Sequence, residues 1–121
     1  MTEEELVNDL IERLKPHLPM FVTPGKSMIS QFRSNDQTSV KIKKGMKLKI
    51  TNCHYIGSEG GLALACEIST PTGKQVVIMS ITQLRLDPKH PLYKELRAYQ
   101  LGRSQWLAMN HRSPVLHTLT R

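Results

Sequence analysis

Three short runs of apolar residues with β-type alternation, joined by two compact loops, constrain the fold of this chain more than any other feature. The runs span residues 46–56, 62–69 and 75–81. The intervening segments, 57–61 and 70–74, contain the Gly, Pro, Ser and Thr residues that are typical of tight hairpin loops. The pattern predicts a three-stranded antiparallel meander in the middle of the chain.

The phase of the apolar residues predicts how the first two strands of this meander pair. When Ile50 lies opposite Ile68, the apolar faces coincide, because side chains alternate between the two faces of a sheet. A slip by one residue would oppose Cys53 to Cys66, but it would also place Ile50 opposite Ser69. We therefore prefer the first register. It predicts two unbridged thiols on opposite faces, with Cys66 in the core and Cys53 the faster to alkylate.

The N-terminal segment, residues 1–15, carries the signature of an amphipathic helix. Thr2 and Glu5 form a capping box at its start. Apolar residues then fall on one helical stripe before a proline ends the pattern: Leu6, Val7, Leu10, Ile11 and Leu14. We expect this stripe to pack on its own domain, with docking to a partner or a second copy as the alternative. Residues 16–26, which are rich in Pro, predict an extended connector.

The segments around the meander give weaker β patterns. Residues 27–33 and 38–43 alternate weakly and favour strands on either side of a polar turn at 34–36. Residues 81–86 predict a turn followed by a short strand.

The C-terminal region predicts one more helix. Pro91 suits its first position, and Gly102 is a natural C-cap, so a helix of about eleven residues is expected between them. A short further turn carries Trp106, and the tail from Asn110 onward shows no convincing period.

Short strands with tight turns, flanked by helices, predict a single α+β domain. We expect a small SH3-like or OB-like β-barrel, or a curled antiparallel sheet, with an N-terminal and a C-terminal helix. The expected boundaries are 1–15 for the first helix, 16–26 for the connector, 27–86 for the barrel and 87–121 for the C-terminal helix and tail.

The charge of the chain is unevenly distributed. Its 121 residues include 17 Lys and Arg against 10 Asp and Glu. Five of the acids lie within residues 1–12, which contain no Lys or Arg, so 17 bases against 5 acids give the rest a net charge of +12. A body this basic favours anionic partners such as DNA or RNA.

The densest candidate site is a cluster of five lysines: Lys41, Lys43, Lys44, Lys47 and Lys49. On a strand, Lys47 and Lys49 share one face, and Tyr55 falls on that face as a base-stacking residue. Such lysines favour sequence-independent contacts with phosphates. Solvated lysines that protect a sheet edge are the alternative interpretation.

A second basic set extends toward the C-terminal helix and is expected to widen the same surface: Arg85, Lys89, Lys94, Arg97 and Arg103. An ordinary exposed helix face is the alternative for these residues. For protein partners the candidate anchors are apolar: Leu6, Leu10 and Trp106. A role for Trp106 in covering the core is the competing interpretation.

The sequence contains no motif that indicates catalysis or metal binding. The loop 57–61 is rich in Gly, but a strand follows it where a phosphate-binding loop would lead into a helix. The Cys and His residues lack metal-ligand spacing, and His54 falls in the apolar phase, which favours a core histidine. No nucleophile motif is present. We therefore expect no enzyme activity, no metal and no cofactor.

The favoured function is that of a non-enzymatic nucleic-acid-binding accessory or regulatory protein. The alternative is an adaptor or inhibitor that docks an acidic protein through its basic surface and apolar anchors. The sequence has no apolar run of roughly 18 residues, and its first residues are acidic where a signal peptide is basic. We therefore expect a cytoplasmic protein without membrane contact, whose oligomeric state is open and includes a homodimer.

Overall fold

The computed structural model describes residues 2–33 and 41–110. In chain order the helices are α1 (Glu3–Leu14), α2 (Lys26–Arg33), α3 (Gly57–Gly60) and α4 (Tyr93–Asn110). The strands are β1 (Met20–Pro24), β2 (Leu48–Tyr55), β3 (Leu62–Thr70), β4 (Gly73–Ser80) and β5 (Leu84–Arg85). Two short 3-10 turns lie at Lys15–His17 and Ile81–Gln83.

The five strands form one antiparallel sheet in the order β4-β3-β2-β1-β5. This confirms the predicted α+β class with a helix at either end. It also confirms the predicted meander, which is β2, β3 and β4, and the turn and short strand at 81–86. β4 and β5 are the sheet edges, and within the described residues they do not pair with each other, so the sheet is open. None of the described helices is long and apolar enough to cross a membrane.

Helix α1 begins and packs as its sequence predicts. The backbone N–H of Glu5 donates to Thr2 Oγ1 at 3.1 Å, and the N–H of Thr2 donates to Glu5 Oε1 at 3.2 Å, which completes the capping box. Its apolar stripe is buried in the core of its own chain, with Leu6 at the exposed margin: Val7, Leu10, Ile11 and Leu14. The helix is therefore an integral part of the domain.

The predicted connector over 16–26 is wrong, because a strand lies inside it. β1 pairs with β2 through Met20 and Ile50, and it also pairs with β5. The apolar residues of β1 number too few to show a clear period, and the prolines around them suggested a linker. Pro24 is tolerated because it occupies the last position of the strand.

The predicted strand over 27–33 is a helix, α2. Met28 and Phe32 are four residues apart, so in a helix both reach the core, where Met28 is fully buried. The N–H of Ile29 donates to the carbonyl of Gly25 at 3.1 Å, which starts the helical turn. The turn predicted at 34–36 lies outside the described residues, as does most of the strand predicted over 38–43, and the described residues 41–43 form no strand.

The predicted register between β2 and β3 is also wrong, first because the hairpin loop is one residue longer than predicted and then because of a β-bulge. Ile50 lies opposite Cys66, whereas Asn52 lies opposite Ala65, so Thr51 is an additional residue in β2. A bulge shifts the phase of every later residue in its strand by one. A strictly alternating strand cannot reproduce such a register.

The bulge reverses three assignments made from the sequence. Cys53 and Cys66 are both buried free thiols in the core, so the prediction that they lie on opposite faces is wrong. His54 is exposed rather than in the apolar phase, and Tyr55 packs partly against the core rather than beside Lys49. Burial raises the pKa of Cys66 to about 11 and also raises the pKa of Cys53.

Helix α4 is longer than predicted and passes through Gly102 without a break. Side chains on either side of this glycine hold the helix to the domain. Gln100 Nε2 donates to the backbone carbonyls of Ile81 at 2.6 Å and Leu84 at 2.8 Å. On the other side of Gly102, Arg103 Nη1 donates to Glu3 Oε2 at 2.6 Å. These tertiary contacts override the local tendency of Gly102 to end a helix.

Candidate nucleic-acid interface

The outer face of the sheet, defined here as the face turned away from the buried residues of β1 and β2, carries an exposed aromatic ring. Phe21 is 54% exposed, while its neighbours Met20 and Val22 are buried on the other side. Lys49 lies directly opposite Phe21 on β2 and also belongs to the outer face. The register thus places an aromatic surface beside a cation.

A second cation lies on the same part of the outer face. Thr23 follows Phe21 at the alternation spacing of a strand, and it pairs with the exposed Arg85 of β5. Phe21, Lys49 and Arg85 therefore belong to one surface built from three neighbouring strands.

On its other side, toward β3, Lys49 faces a carboxylate. Lys49 pairs across the sheet with Glu67, whose Oε1 lies 3.2 Å from Lys74 Nζ. Because Glu67 already has a cationic partner in Lys74, it offsets Lys49 only in part. The excess of positive charge lies toward β1 and β5.

The remaining lysines of the predicted cluster lie before β2 rather than on it: Lys41, Lys43, Lys44 and Lys47. All four are exposed, and none forms an ion pair with another described residue. The N–H of Met46 donates to the carbonyl of Lys43 at 3.1 Å, and Gly45 adopts a φ of +79° in this turn. A positive φ is readily available to Gly, so the turn presents its lysines to solvent.

A small polar pocket brings together two residues of the second basic set. Arg85 and Arg97 both line a cavity of about 380 Å³ between β5 and α4. Lys94 does not line it and is exposed on the same helix. Lys89 is also exposed, so the structure divides the predicted set into a pair that lines one cavity, two solvated lysines and the buried Arg103.

A larger groove of about 840 Å³ lies between α1 and α4 and contains all three predicted apolar anchors, Leu6, Leu10 and Trp106. Leu10 is only 2% exposed, so it contributes mainly to the core. The polar end of the groove is built around Arg103.

The expectation that Arg103 belongs to an exposed basic surface is wrong, because a buried network that the sequence analysis did not find holds its side chain. Its Nη1 lies 2.6 Å from Glu3 Oε2, its Nη2 donates to the carbonyl of Ser58, and its guanidinium lies 5.1 Å from the ring centre of Trp106. Since the side chain of Arg103 is 2% exposed, its charge is paired with Glu3 inside the protein. Spacing gives no signal for a pair one hundred residues apart.

Two tyrosines complete this network, and both have raised pKa values. Tyr99 donates to Glu3 Oε2 at 3.2 Å and accepts from the N–H of Leu62 at 3.0 Å. Burial raises the pKa of Tyr99 to about 12, and the charge of Glu3 acts in the same direction. Tyr55 donates to Glu3 Oε1 at 3.4 Å, and burial together with the charges of Glu3 and Glu4 raises its pKa. Tyr55 is therefore a structural residue in this groove rather than part of the lysine surface.

The described histidines and cysteines do not form a metal site. His17 and His90 contact each other, with ring centres 5.1 Å apart in an edge-to-face arrangement. No group of three His, Cys, Asp or Glu residues with the geometry to hold a metal ion occurs in residues 2–33 and 41–110.

Comparison with known proteins finds no relative of this chain. No protein family, no curated protein and no solved structure matches it. Function is therefore inferred from the geometry described above.

Proposed function

We propose that this protein is a non-enzymatic nucleic-acid-binding accessory protein that holds a single strand on the outer face of its sheet. The observation that carries the proposal is the exposed ring of Phe21 directly opposite Lys49. A base that stacks on an aromatic side chain contributes about 1–3 kcal/mol to binding, whatever the base. Lys49 and Arg85 lie on the same surface to contact the phosphates.

The turn before β2, which carries Lys41, Lys43, Lys44 and Lys47, supports the same function. Its four lysines are exposed and have no described acidic partner, so they retain their attraction for phosphates. Each cation that neutralises a phosphate releases a condensed counterion, which makes affinity fall steeply with salt. Sequence-independent binding with a strong salt dependence is expected.

The strand arrangement also favours an open form of an SH3-like or OB-like small barrel as the architecture. β1 lies between β2 and β5, and a 3-10 turn joins β4 to β5. Partly open five-stranded barrels of the OB kind bind oligonucleotides across a sheet face. A sheet face with one exposed ring and adjacent cations resembles such a surface.

Binding of fluorescent single-stranded and duplex oligonucleotides, measured by anisotropy at low salt, tests the proposal. Phe21→Ala should weaken single-strand binding by about tenfold, whereas Phe21→Trp should keep it, because the tryptophan ring also stacks. Leu101→Ala is the matched control, since Leu101 is 48% exposed and lies on α4 rather than on the sheet. Equal affinities of the wild type and Phe21→Ala would contradict the stacking role.

The cationic part of the surface is tested separately. Replacing Lys43, Lys47 and Lys49 by Glu should abolish binding with little change in thermal stability, because these side chains are at least partly solvated. Lys15→Gln serves as the charge control, since Lys15 is already bound to Glu12 at 2.8 Å. Undiminished binding in the triple variant would refute the proposal.

The same measurements separate nucleic acid from the alternative partner, an acidic protein. Polyglutamate of matched charge is added as a competitor. If it binds as tightly as the single strand and Phe21→Ala has no effect on either, the result favours the adaptor or inhibitor function. A clear preference for the nucleic acid that depends on Phe21 favours the proposed one.

A further inference from the structure

The small pocket between β5 and α4 has the composition of an anion site. Arg85 and Arg97 approach it from different elements, and the hydroxyl-bearing residues Thr82 and Tyr93 also line it. The described residues that line this pocket include no carboxylate. Neither arginine forms an ion pair with a described residue. Two arginines thus line one cavity whose described lining supplies no counter-charge.

Gln100 fixes the geometry of this arginine pair. It is 3% exposed, and its Nε2 is held by the carbonyls of Ile81 and Leu84, which directly precede Thr82 and Arg85. Its Oε1 accepts from Arg97 Nη1 at 3.0 Å. One buried amide therefore links Arg97 to the backbone of the strand that carries Arg85.

This linkage orients Arg97 before any ligand arrives. Arginine binds phosphate through a planar fork of N–H donors, and the affinity is higher when that fork does not need to be ordered. Arg97 uses Nη1 for Gln100, which leaves its other donors for an anion. The pocket volume of about 380 Å³ lies within the range of small-ligand sites and exceeds what a single chloride would need.

The position of Arg85 connects the pocket to the proposed strand-binding surface. Arg85 pairs with Thr23, which follows Phe21 on the outer face. The proposed stacking surface therefore adjoins the strand position that carries Arg85.

We propose that the pocket binds a phosphomonoester, namely the terminal phosphate of a nucleic-acid strand or the phosphate of a free mononucleotide. Binding of the terminal phosphate of a strand rests on the proposed function. A terminal monoester carries more charge and more free oxygens than an internal diester, so it makes better use of two arginines in a concave site. The protein thus recognises the end of a nucleic-acid strand as well as its phosphate backbone.

The full-length protein is titrated with short single strands of one sequence that carry a 5′-phosphate, a 3′-phosphate or only hydroxyl ends. One of the phosphorylated strands should bind about tenfold more tightly than the hydroxyl strand, the range expected for charged hydrogen bonds. Arg97→Gln should remove this advantage and leave binding of the hydroxyl strand nearly unchanged. Lys94→Gln removes one positive charge from the same helix outside the pocket, and it should keep the advantage.

Thermal melting of Arg97→Gln establishes that the variant folds, and Arg97→Lys provides a second test. The lysine keeps the charge but lacks the fork, so it should retain only part of the advantage. Equal binding of all three strands by the wild type would overturn the phosphomonoester site and leave the proposed function standing.

A titration with thymidine monophosphate separates the remaining outcomes. Binding of the mononucleotide that depends on Arg97, without binding of any strand, would support the pocket and refute the proposed function. The free nucleotide would then be the source of the phosphate. Absence of binding to the strands and to the mononucleotide would overturn both.

Discussion

Neutralising Glu3 should destabilise the protein more than any other single conservative change at its surface. Glu3→Gln keeps the shape of the side chain but removes the charge that faces Arg103 at 2.6 Å. Arg103 is 2% exposed, so its cation would remain buried without its counter-charge. The two tyrosine hydroxyls that donate to Glu3 would also lose a charged acceptor.

The magnitude follows from the burial of the pair. Removing one partner of a buried ion pair costs about 3–5 kcal/mol. Glu3 itself is 30% exposed, and Arg103 keeps its bond to Ser58 and its contact with Trp106, so the lower end applies, about 3 kcal/mol. For a chain of this size that loss lowers the melting temperature by roughly 12 °C.

Urea and thermal denaturation followed by circular dichroism measure this loss. Glu4→Gln is the matched control, since Glu4 is the next residue, is exposed and makes no ion pair with another described residue. It should change stability by less than about 0.5 kcal/mol. A loss below that value for Glu3→Gln as well would refute the reasoning.

A double-mutant cycle isolates the interaction itself. Arg103→Met removes the buried cation and retains apolar volume beside Trp106. The double variant Glu3→Gln with Arg103→Met should be less destabilised than the sum of the single variants, because neither charge is then left unpaired. Strict additivity would show that the two side chains do not act as a pair.

Three further outcomes are expected. Gly61→Ala should destabilise the protein by about 2 kcal/mol or more in the same denaturation assays, because Gly61 has a φ of +61° and a Cβ there would clash with the Tyr99 hydroxyl. Stability should fall as pH rises from about 10 to about 12, because the pKa of Tyr99 is raised to about 12 in the folded protein while an unfolded tyrosine ionises near 10. Tyr99→Phe should reduce this dependence, and the raised pKa values of Cys66 and Tyr55 account for the remainder. Cys53 and Cys66 should both react slowly with a thiol reagent at pH 8 and react fast in urea, because burial raises both pKa values. Rapid labelling of Cys53 alone under native conditions would contradict the buried position that the bulge gives it.

The features that the sequence predicts correctly are those specified by neighbouring residues. The capping box of α1, the central meander and the 3-10 turn before β5 each arise from patterns within a few positions. The bulge at Thr51 leaves no local mark, since its residue type is ordinary in a strand, and yet it decides where Tyr55 lies. The helix end predicted at Gly102 is wrong, because the contacts that Gln100 and Arg103 make with elements distant in sequence override the low helix propensity of glycine.

The candidate site shows the same division. The charge of Arg85 and Arg97 is visible in the sequence, whereas the cavity that they share depends on the packing of α4 against β5. Phe21 could have been found from the alternation of Met20, Phe21 and Val22, had the segment between the prolines been treated as a strand. The Glu3–Arg103 pair has no sequence signal, because its members lie at opposite ends of the described chain.

The pairing of Glu3 with Arg103 also imposes an order on biosynthesis. A ribosome adds about 5–20 residues per second, so the partner of Glu3 emerges several seconds after Glu3 itself. During that interval α1 has its capping box but neither the sheet against which it packs nor the arginine that holds its first turn. The apolar stripe of the newly made helix therefore stays uncovered until β2 has been synthesised. A nascent chain that has not reached Arg103 still lacks the counter-charge of Glu3, so α4 is the helix that fixes the first turn of α1.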